Sequence, residues 1–150
     1  MIGIGGIGMS ALARYYHSHG CTVAGYDRTP SPLTRQLEHE GMAIHYEDNP
    51  NLLPALIDFV VYTPAVPSSL MEFEALRQRQ IPIMKRSEAL GNISRQHFTI
   101  AVAGTHGKTT TTAMVAHILH SSGTNTTAFI GGIANNFDSN LVLGKGLDSI

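Results

Sequence analysis

Two glycine-rich turns, each set between an apolar run and a helix-forming stretch, constrain this 150-residue chain more than any other feature in it. The first is Gly3-Ile4-Gly5-Gly6-Ile7-Gly8, which satisfies G-x-G-x-x-G; the second is Gly104-Thr105-His106-Gly107-Lys108-Thr109-Thr110. A strand that passes through such a turn into a helix leaves backbone N–H groups free at the helix start, where the helix dipole favours an anion. Both turns therefore point to phosphate, and both belong in parallel α/β architecture.

The segments between them keep that rhythm. Ile2 to Ile4 reads as the end of a short strand, and only Met1 and Ile2 precede Gly3, so the first strand looks clipped. Met9 to His19 carries Leu12, Tyr15 and Tyr16 at helical spacing, and Gly20 is a suitable stop. Thr22–Tyr26 reads as a second strand closed by Asp27. Ser31 then caps a helix through Glu40, with Pro32 at its first position. Met42–His45, Asp58–Thr63 and Ile81–Met84 are further strands, with a helix over Ser69–Gln80 and another opening at Ser87. Near-continuous apolar strands alternating with helices imply a Rossmann-like, doubly wound parallel sheet covered on both faces.

The character changes near Ser94. His97–Ala103 reads as a strong strand running into the second turn, Thr111–Ser121 as a helix with Met114, Val115, Ile118 and Leu119 on one side, and Thr126–Ile130 as a strand. Gly131-Gly132 and Asn135-Asn136 read as an irregular loop, and Leu141–Leu143 as a last strand. The expected division is a first domain over residues 1–94 and the start of a P-loop ATPase-type α/β domain over residues 95–150. The second piece, about 55 residues, is small for an independent parallel sheet, so the natural chain is expected to continue past Ile150.

The two turns differ in specificity. The first, with Asp27 nineteen residues after Gly8 at the end of the next strand, suits a pyrophosphate with a ribose or base beside it. A tight strand–helix turn without a ligand, or a nicotinamide or flavin dinucleotide site, fits the same residues. The second holds Gly-Lys-Thr, the chemical centre of a phosphate loop: the backbone cradles phosphates, Lys108 reaches their outer oxygens and the Thr109 hydroxyl can bind Mg²⁺. Position 102 is Val where the strict pattern has Gly, so the loop is a variant.

Composition narrows the rest. Hydrophobic residues make up 43% and charged residues 14%, enough to bury a core and too apolar for disorder. Ten basic residues against eleven acidic ones give no general attraction to nucleic acid or an anionic membrane. No apolar run approaches membrane-spanning length, and the glycine-broken start lacks the basic lead of a signal peptide. The single cysteine, Cys21, excludes an internal disulfide, fits a cytoplasmic setting and reads as a small buried side chain. His117 and His120 share a helix face, but no carboxylate or cysteine completes a zinc set, and His106 reads as a loop histidine rather than a catalyst.

Two phosphate loops about a hundred residues apart, in this order, resemble the Mur ligase family of peptidoglycan synthesis. Gly3 to Ala13 is similar to that family's UDP-sugar loop and Gly104 to Thr111 to its ATP loop. Val61-Tyr62-Thr63-Pro64-Ala65-Val66, Lys85-Arg86-Ser87-Glu88-Ala89-Leu90 and Gly131-Gly132 also look like family segments. His106 points to the alanine-adding branch or its relative that recycles murein peptide, and the first loop favours the former. The resemblance implies an ATP- and Mg²⁺-dependent ligase joining UDP-N-acetylmuramate to L-alanine through an acyl phosphate. It implies that Gly5, Gly6, Ile7, Gly8, Met9 and Ser10 hold the UDP pyrophosphate, Asp27 faces the uridine, and Thr63, Pro64, Ala65 and Val66 line the same crevice. It implies that Gly104, Thr105, His106, Gly107, Lys108, Thr109 and Thr110 hold ATP, with Lys108 and Thr109 catalytic and Thr109 on the metal. Arg86 reads equally as a charge partner there and as a solvated surface residue. Family members are much longer three-domain enzymes, so these residues alone are not expected to catalyse ligation. A nicotinamide-dependent dehydrogenase and a regulatory nucleotide-binding module are the other classes these residues leave open.

Overall fold

A computed structural model describes residues 1–144, which divide into a unit over Met1–Ala89 and another within Leu90–Ile150. The first unit runs α1 (Ile7–Ser18), β1 (Ala24–Tyr26), α2 (Pro32–His39), β2 (Ala43–His45), a 3₁₀ turn (Pro50–Leu52), β3 (Val60–Tyr62), α3 (Met71–Gln78) and β4 (Ile83–Lys85), and it opens α4 (Arg86–Ser94). β1 pairs with β2 and β3 with β4, both in parallel. Ile2 joins the two pairs by parallel bridges to Tyr26 and Tyr62. Its N–H donates to the Val61 carbonyl at 2.9 Å, while the Tyr26 N–H donates to the Met1 carbonyl at 2.9 Å. The order β2-β1-Ile2-β3-β4 is that of a doubly wound sheet whose winding reverses at Ile2, the position at which such sheets bind ligands.

Each face has its own apolar cluster. Ile4, Ala13, Val23, Leu37 and Met42 pack together on the side of α1 and α2. Ile2, Tyr26, Val60, Phe73 and Leu76 pack on the side of α3. Leu37 and Leu76 are fully buried, each stabilising the fold by about 1.5–3 kcal/mol. Local chemistry sets the helix ends. The Thr34 N–H donates to Ser31 Oγ at 3.1 Å and the Ser31 N–H to Thr34 Oγ1 at 2.8 Å, a reciprocal cap with Pro32 just inside. Asp48 caps α3 from outside it, accepting from the Met71 and Glu72 N–H groups at 2.8 and 3.1 Å. The Arg14 guanidinium of α1 bonds both Glu40 oxygens at the end of α2.

The second unit holds α5 (Lys108–Ser121), β5 (Ala128–Ala134) and β6 (Ser139–Val142). Three expectations change here. His97–Ala103 forms no strand: a strand needs a neighbour for its N–H and C=O groups, and among the described residues this segment has none. Its Phe98 and Ile100 are exposed, and the Thr99 hydroxyl bonds back to Ser94 and His97 carbonyls. Gly131 and Gly132 lie inside β5 rather than in a loop. The turn comes afterwards, over residues 135–138, and β5 and β6 pair antiparallel. The inner side of α5 is Ala113 and Ala116 against Ile130, Ala134 and Val142, so Met114 and Ile118 stay exposed. Cys21, expected in the core, is also exposed, carried outward by the Gly20 turn at φ +83°.

Candidate functional site

The first glycine turn sits at the carboxyl end of the Ile2 bridge, and its glycines have separate reasons to be there. Gly3 adopts φ +79°, and a Cβ on it would lie 2.5 Å from Thr63 Cγ2 and 2.9 Å from Val66 Cγ2. A Cβ on Gly5 would meet Thr34 Cγ2 at 2.7 Å and Asp27 Oδ2 at 2.8 Å. Gly6 caps α1 without a side chain, and the first turn of α1 holds no acidic residue. The positive end of the helix dipole thus meets no carboxylate from its own first turn.

Asp27 is half-buried and accepts the Gly5 N–H at 2.7 Å. Its first task is to pin the turn, a charge-assisted bond of the stronger kind. The Thr63 N–H donates to the Ile2 carbonyl at 3.3 Å and the Val66 N–H to the Thr63 carbonyl at 3.1 Å. The segment Thr63-Pro64-Ala65-Val66 therefore folds beside Gly3, with Pro64 and Ala65 exposed. Met9 and Ser10 turn inward: both side chains are buried, and Ser10 Oγ donates to the Ile7 carbonyl at 2.9 Å. The residue that sequence reasoning left undecided is Arg86. A Cβ on Gly8 would meet its Cδ and Nη1 at 3.1 Å, so the guanidinium lies over the start of α1. No pattern in the sequence joins positions 8 and 86; only the crossover through β3 and β4 does.

A cavity of about 650 Å³ opens elsewhere in this unit, lined by Met1, Tyr26, His45, Phe59, Glu72 and Leu76 among others. It contains none of the residues from Gly3 to Gly8, so volume does not mark the glycine turn. Beside it, His45 Nε2 lies 2.7 Å from Glu72 Oε1, a carboxylate that is almost fully buried.

In the second unit, Gly107 caps α5 in the left-handed region at φ +76°. The Lys108 ammonium donates to the Gly104 and Thr105 carbonyls of its own loop. Thr105, His106, Thr109 and Thr110 are exposed, and the Thr112 hydroxyl donates back to the Lys108 carbonyl at 2.8 Å. The two strand glycines have a use: a Cβ on Gly131 would lie 3.1 Å from Thr109 Oγ1, and one on Gly132 would lie 3.3 Å from Thr109 Cγ2. Bare backbone in β5 thus leaves room for Thr109, a link the sequence signals only by placing two glycines inside an apolar run. His117 and His120 stand against the Phe137 ring, and no group of three or more His, Cys, Asp or Glu able to hold a metal occurs among the described residues.

Residues 1–98 match the profile described as Mur ligase family, catalytic domain, and residues 102–148 match that of the Mur ligase middle domain. The chain belongs to the Mur ligase family. It is 54% identical over 94% of its length to UDP-N-acetylmuramate–L-alanine ligase of Flavobacterium johnsoniae, and 47% identical over 99% to the enzyme of that name from Porphyromonas gingivalis W83. It covers 32% and 34% of those proteins, so it spans about a third of the curated relatives it matches. Among solved structures it superposes on UDP-N-acetylmuramate–alanine ligase of Thermotoga maritima with a TM-score of 0.89 at 36% identity, covering 97% of this chain and 34% of that one. A murein peptide ligase from Psychrobacter arcticus gives 0.86 at 31%, covering 98% and 33%. The Mur ligase superpositions agree with the doubly wound first unit, and family membership removes the dehydrogenase alternative.

Proposed function

We propose that this chain is the UDP-sugar-binding domain (residues 1–94) and the beginning of the ATP-binding domain (residues 95–150) of a ligase that adds L-alanine to UDP-N-acetylmuramate. The observation that carries the reading is the pair of glycine turns, each opening a helix without a side-chain cap, in a chain about half identical to ligases of that name. The murein peptide ligase reading is weaker, because the curated relatives near 50% identity carry the alanine ligase name.

The residues fit the groups the reaction needs. At the first turn, Gly5 to Gly8 present backbone at the start of α1, Asp27 fixes the turn through Gly5, and Thr63 to Val66 flank it. These residues hold the UDP end of the sugar nucleotide, and Asp27 keeps a second oxygen for the nucleoside. At the second turn, Gly104 to Thr110 hold the ATP phosphates. Lys108 already rests on two loop carbonyls, and exchanging those acceptors for phosphate oxygens requires only side-chain rotation. The exposed Thr109 hydroxyl, with β5 glycines behind it, would hold Mg²⁺. Bound ATP–Mg²⁺ supplies the phosphoryl group that makes the substrate carboxylate reactive toward an amine. This chain's contribution is to neutralise and position crowded anions, which is the larger part of phosphoryl-transfer catalysis.

Calorimetric titration of the chain with UDP-N-acetylmuramate tests the reading. Binding is expected, and Gly8→Trp, which fills the space over α1, abolishes it. Binding of NAD in place of the UDP sugar would refute it.

A further inference from the structure

We infer that Thr34 is a positioning residue for the first glycine turn: its side chain carries the cap of α2 to Gly5 and so holds the Gly5–Asp27 bond in the place a sugar nucleotide needs. The inference rests on the reading of that turn as a UDP-sugar site. It names what stands behind the turn, since Thr34 is fully buried and touches no ligand itself.

The hydroxyl comes first. Thr34 lies in the first turn of α2. Its Oγ1 accepts the Ser31 N–H at 2.8 Å and the Tyr46 O–H at 3.0 Å, and it donates to the Ser31 carbonyl at 3.0 Å. A threonine hydroxyl has one proton to give and two lone pairs to fill, so this set uses it completely. A β-branched side chain in a helix has little rotameric freedom to begin with, and these bonds remove what is left. Holding Oγ1 in one place holds Cγ2 in one place too, since both branch from the same carbon.

The methyl comes second. Thr34 Cγ2 lies 2.7 Å from the position of a Cβ on Gly5, and Asp27 Oδ2 lies 2.8 Å from the same point. Gly5 is thus met on its bare side by a methyl group and a carboxylate, and that carboxylate oxygen is the one that accepts the Gly5 N–H at 2.7 Å. The methyl acts as a stop and the hydrogen bond as a tie on the same glycine, so together they give it one position. Tyr46, whose hydroxyl also lies 3.0 Å from Glu38 Oε1, brings the residue after β2 into the same unit. Any shift of Gly5 passes directly to Gly6, the N-terminal flank of α1. Thr34 therefore contributes placement of the turn rather than contact with what binds there.

Two variants separate the halves of the side chain. Thr34→Ser keeps the hydroxyl and removes only Cγ2; Thr34→Val keeps a methyl in that place and removes the hydroxyl. The experiment combines calorimetry with UDP and UDP-N-acetylmuramate, thermal melts, and hydrogen exchange at the Gly5 amide, on both variants and the parent chain. Thr34→Ser is expected to weaken both ligands by about three- to tenfold, the worth of roughly one packed methyl group, and to speed exchange at Gly5 severalfold. Thr34→Val leaves the Ser31 N–H without its partner, so it melts lower than Thr34→Ser yet binds more tightly. That reversed order marks positioning, because a residue that only supports the fold lowers affinity in step with stability. If Thr34→Ser matches the parent in affinity and in Gly5 exchange, the role of Thr34 is overturned while the site reading stands. If affinity follows melting temperature across the parent and both variants, Thr34 only supports the fold and the proposal is likewise overturned. If the parent binds neither UDP nor the UDP sugar, the site reading falls and takes the proposal with it.

Discussion

Gly3→Ala tests how tightly the first glycine turn is built into the sheet. Two costs combine. The left-handed φ of +79° penalises a residue with a Cβ by about 1–2 kcal/mol. The new Cβ would also stand 2.5 Å from Thr63 Cγ2 and 2.9 Å from Val66 Cγ2, an overlap that costs about 1–3 kcal/mol. The sum, about 2–5 kcal/mol, is a large part of a typical stability of about 5–15 kcal/mol. At about 2–4 °C per kcal/mol for a chain of this size, the melting temperature falls by roughly 10 °C. Thr63→Ser removes the nearer methyl group and keeps the hydroxyl. In urea titrations of the two single variants and the double variant, Thr63→Ser is expected to return about 1 kcal/mol of the Gly3→Ala loss, leaving the backbone penalty and the Val66 contact. Losses that add to within about 0.5 kcal/mol, or a Gly3→Ala protein as stable as the parent, would refute the steric argument.

Two further outcomes are expected. Glu72→Ala strips the buried acceptor of His45 and of the Asn49 N–H and is expected to cost about 1–3 kcal/mol, whereas an unchanged stability in the same assay would mean these bonds do not hold the fold. Gly131→Val presses on Thr109 Oγ1, so ATP–Mg²⁺ affinity falls severalfold by calorimetry while UDP affinity is unchanged; equal ATP affinity would show that Thr109 does not depend on the bare strand behind it.

What the sequence shows of this molecule is what neighbours along the chain decide. Ser31 and Pro32 announce α2, and the structure supplies the Thr34 half of the cap. The G-x-G-x-x-G turn and its helix are legible because glycine spacing is itself the backbone requirement. What stays hidden depends on distant partners. His97–Ala103 has every local mark of a strand and is not one here, because propensity cannot provide the facing N–H and C=O groups. Gly131 and Gly132 look like a loop until Thr109 is placed against them. α5 has more apolar residues than one face can use, and contact with β5 selects the alanines. Arg86 and Asp27 are the same lesson at the first turn: the approach of Arg86 to Gly8 is set by a crossover and the bond to Asp27 by a turn N–H, neither of which leaves a sequence period.

The bonds around Ile2 have a consequence for cooperativity. The two strand pairs are tied through the backbone of residues 1–4: the Ile2 N–H reaches Val61 and the Thr63 N–H reaches Ile2 on one side, while Met1, Gly3 and Ile4 bond to Tyr26 on the other. The glycine turn starts within this stretch, so a ligand that orders the turn is expected to tighten the sheet with it. Slowed hydrogen exchange at the Ile2 and Tyr26 amides on addition of UDP-N-acetylmuramate, more than at any amide of α2, is where that coupling becomes visible.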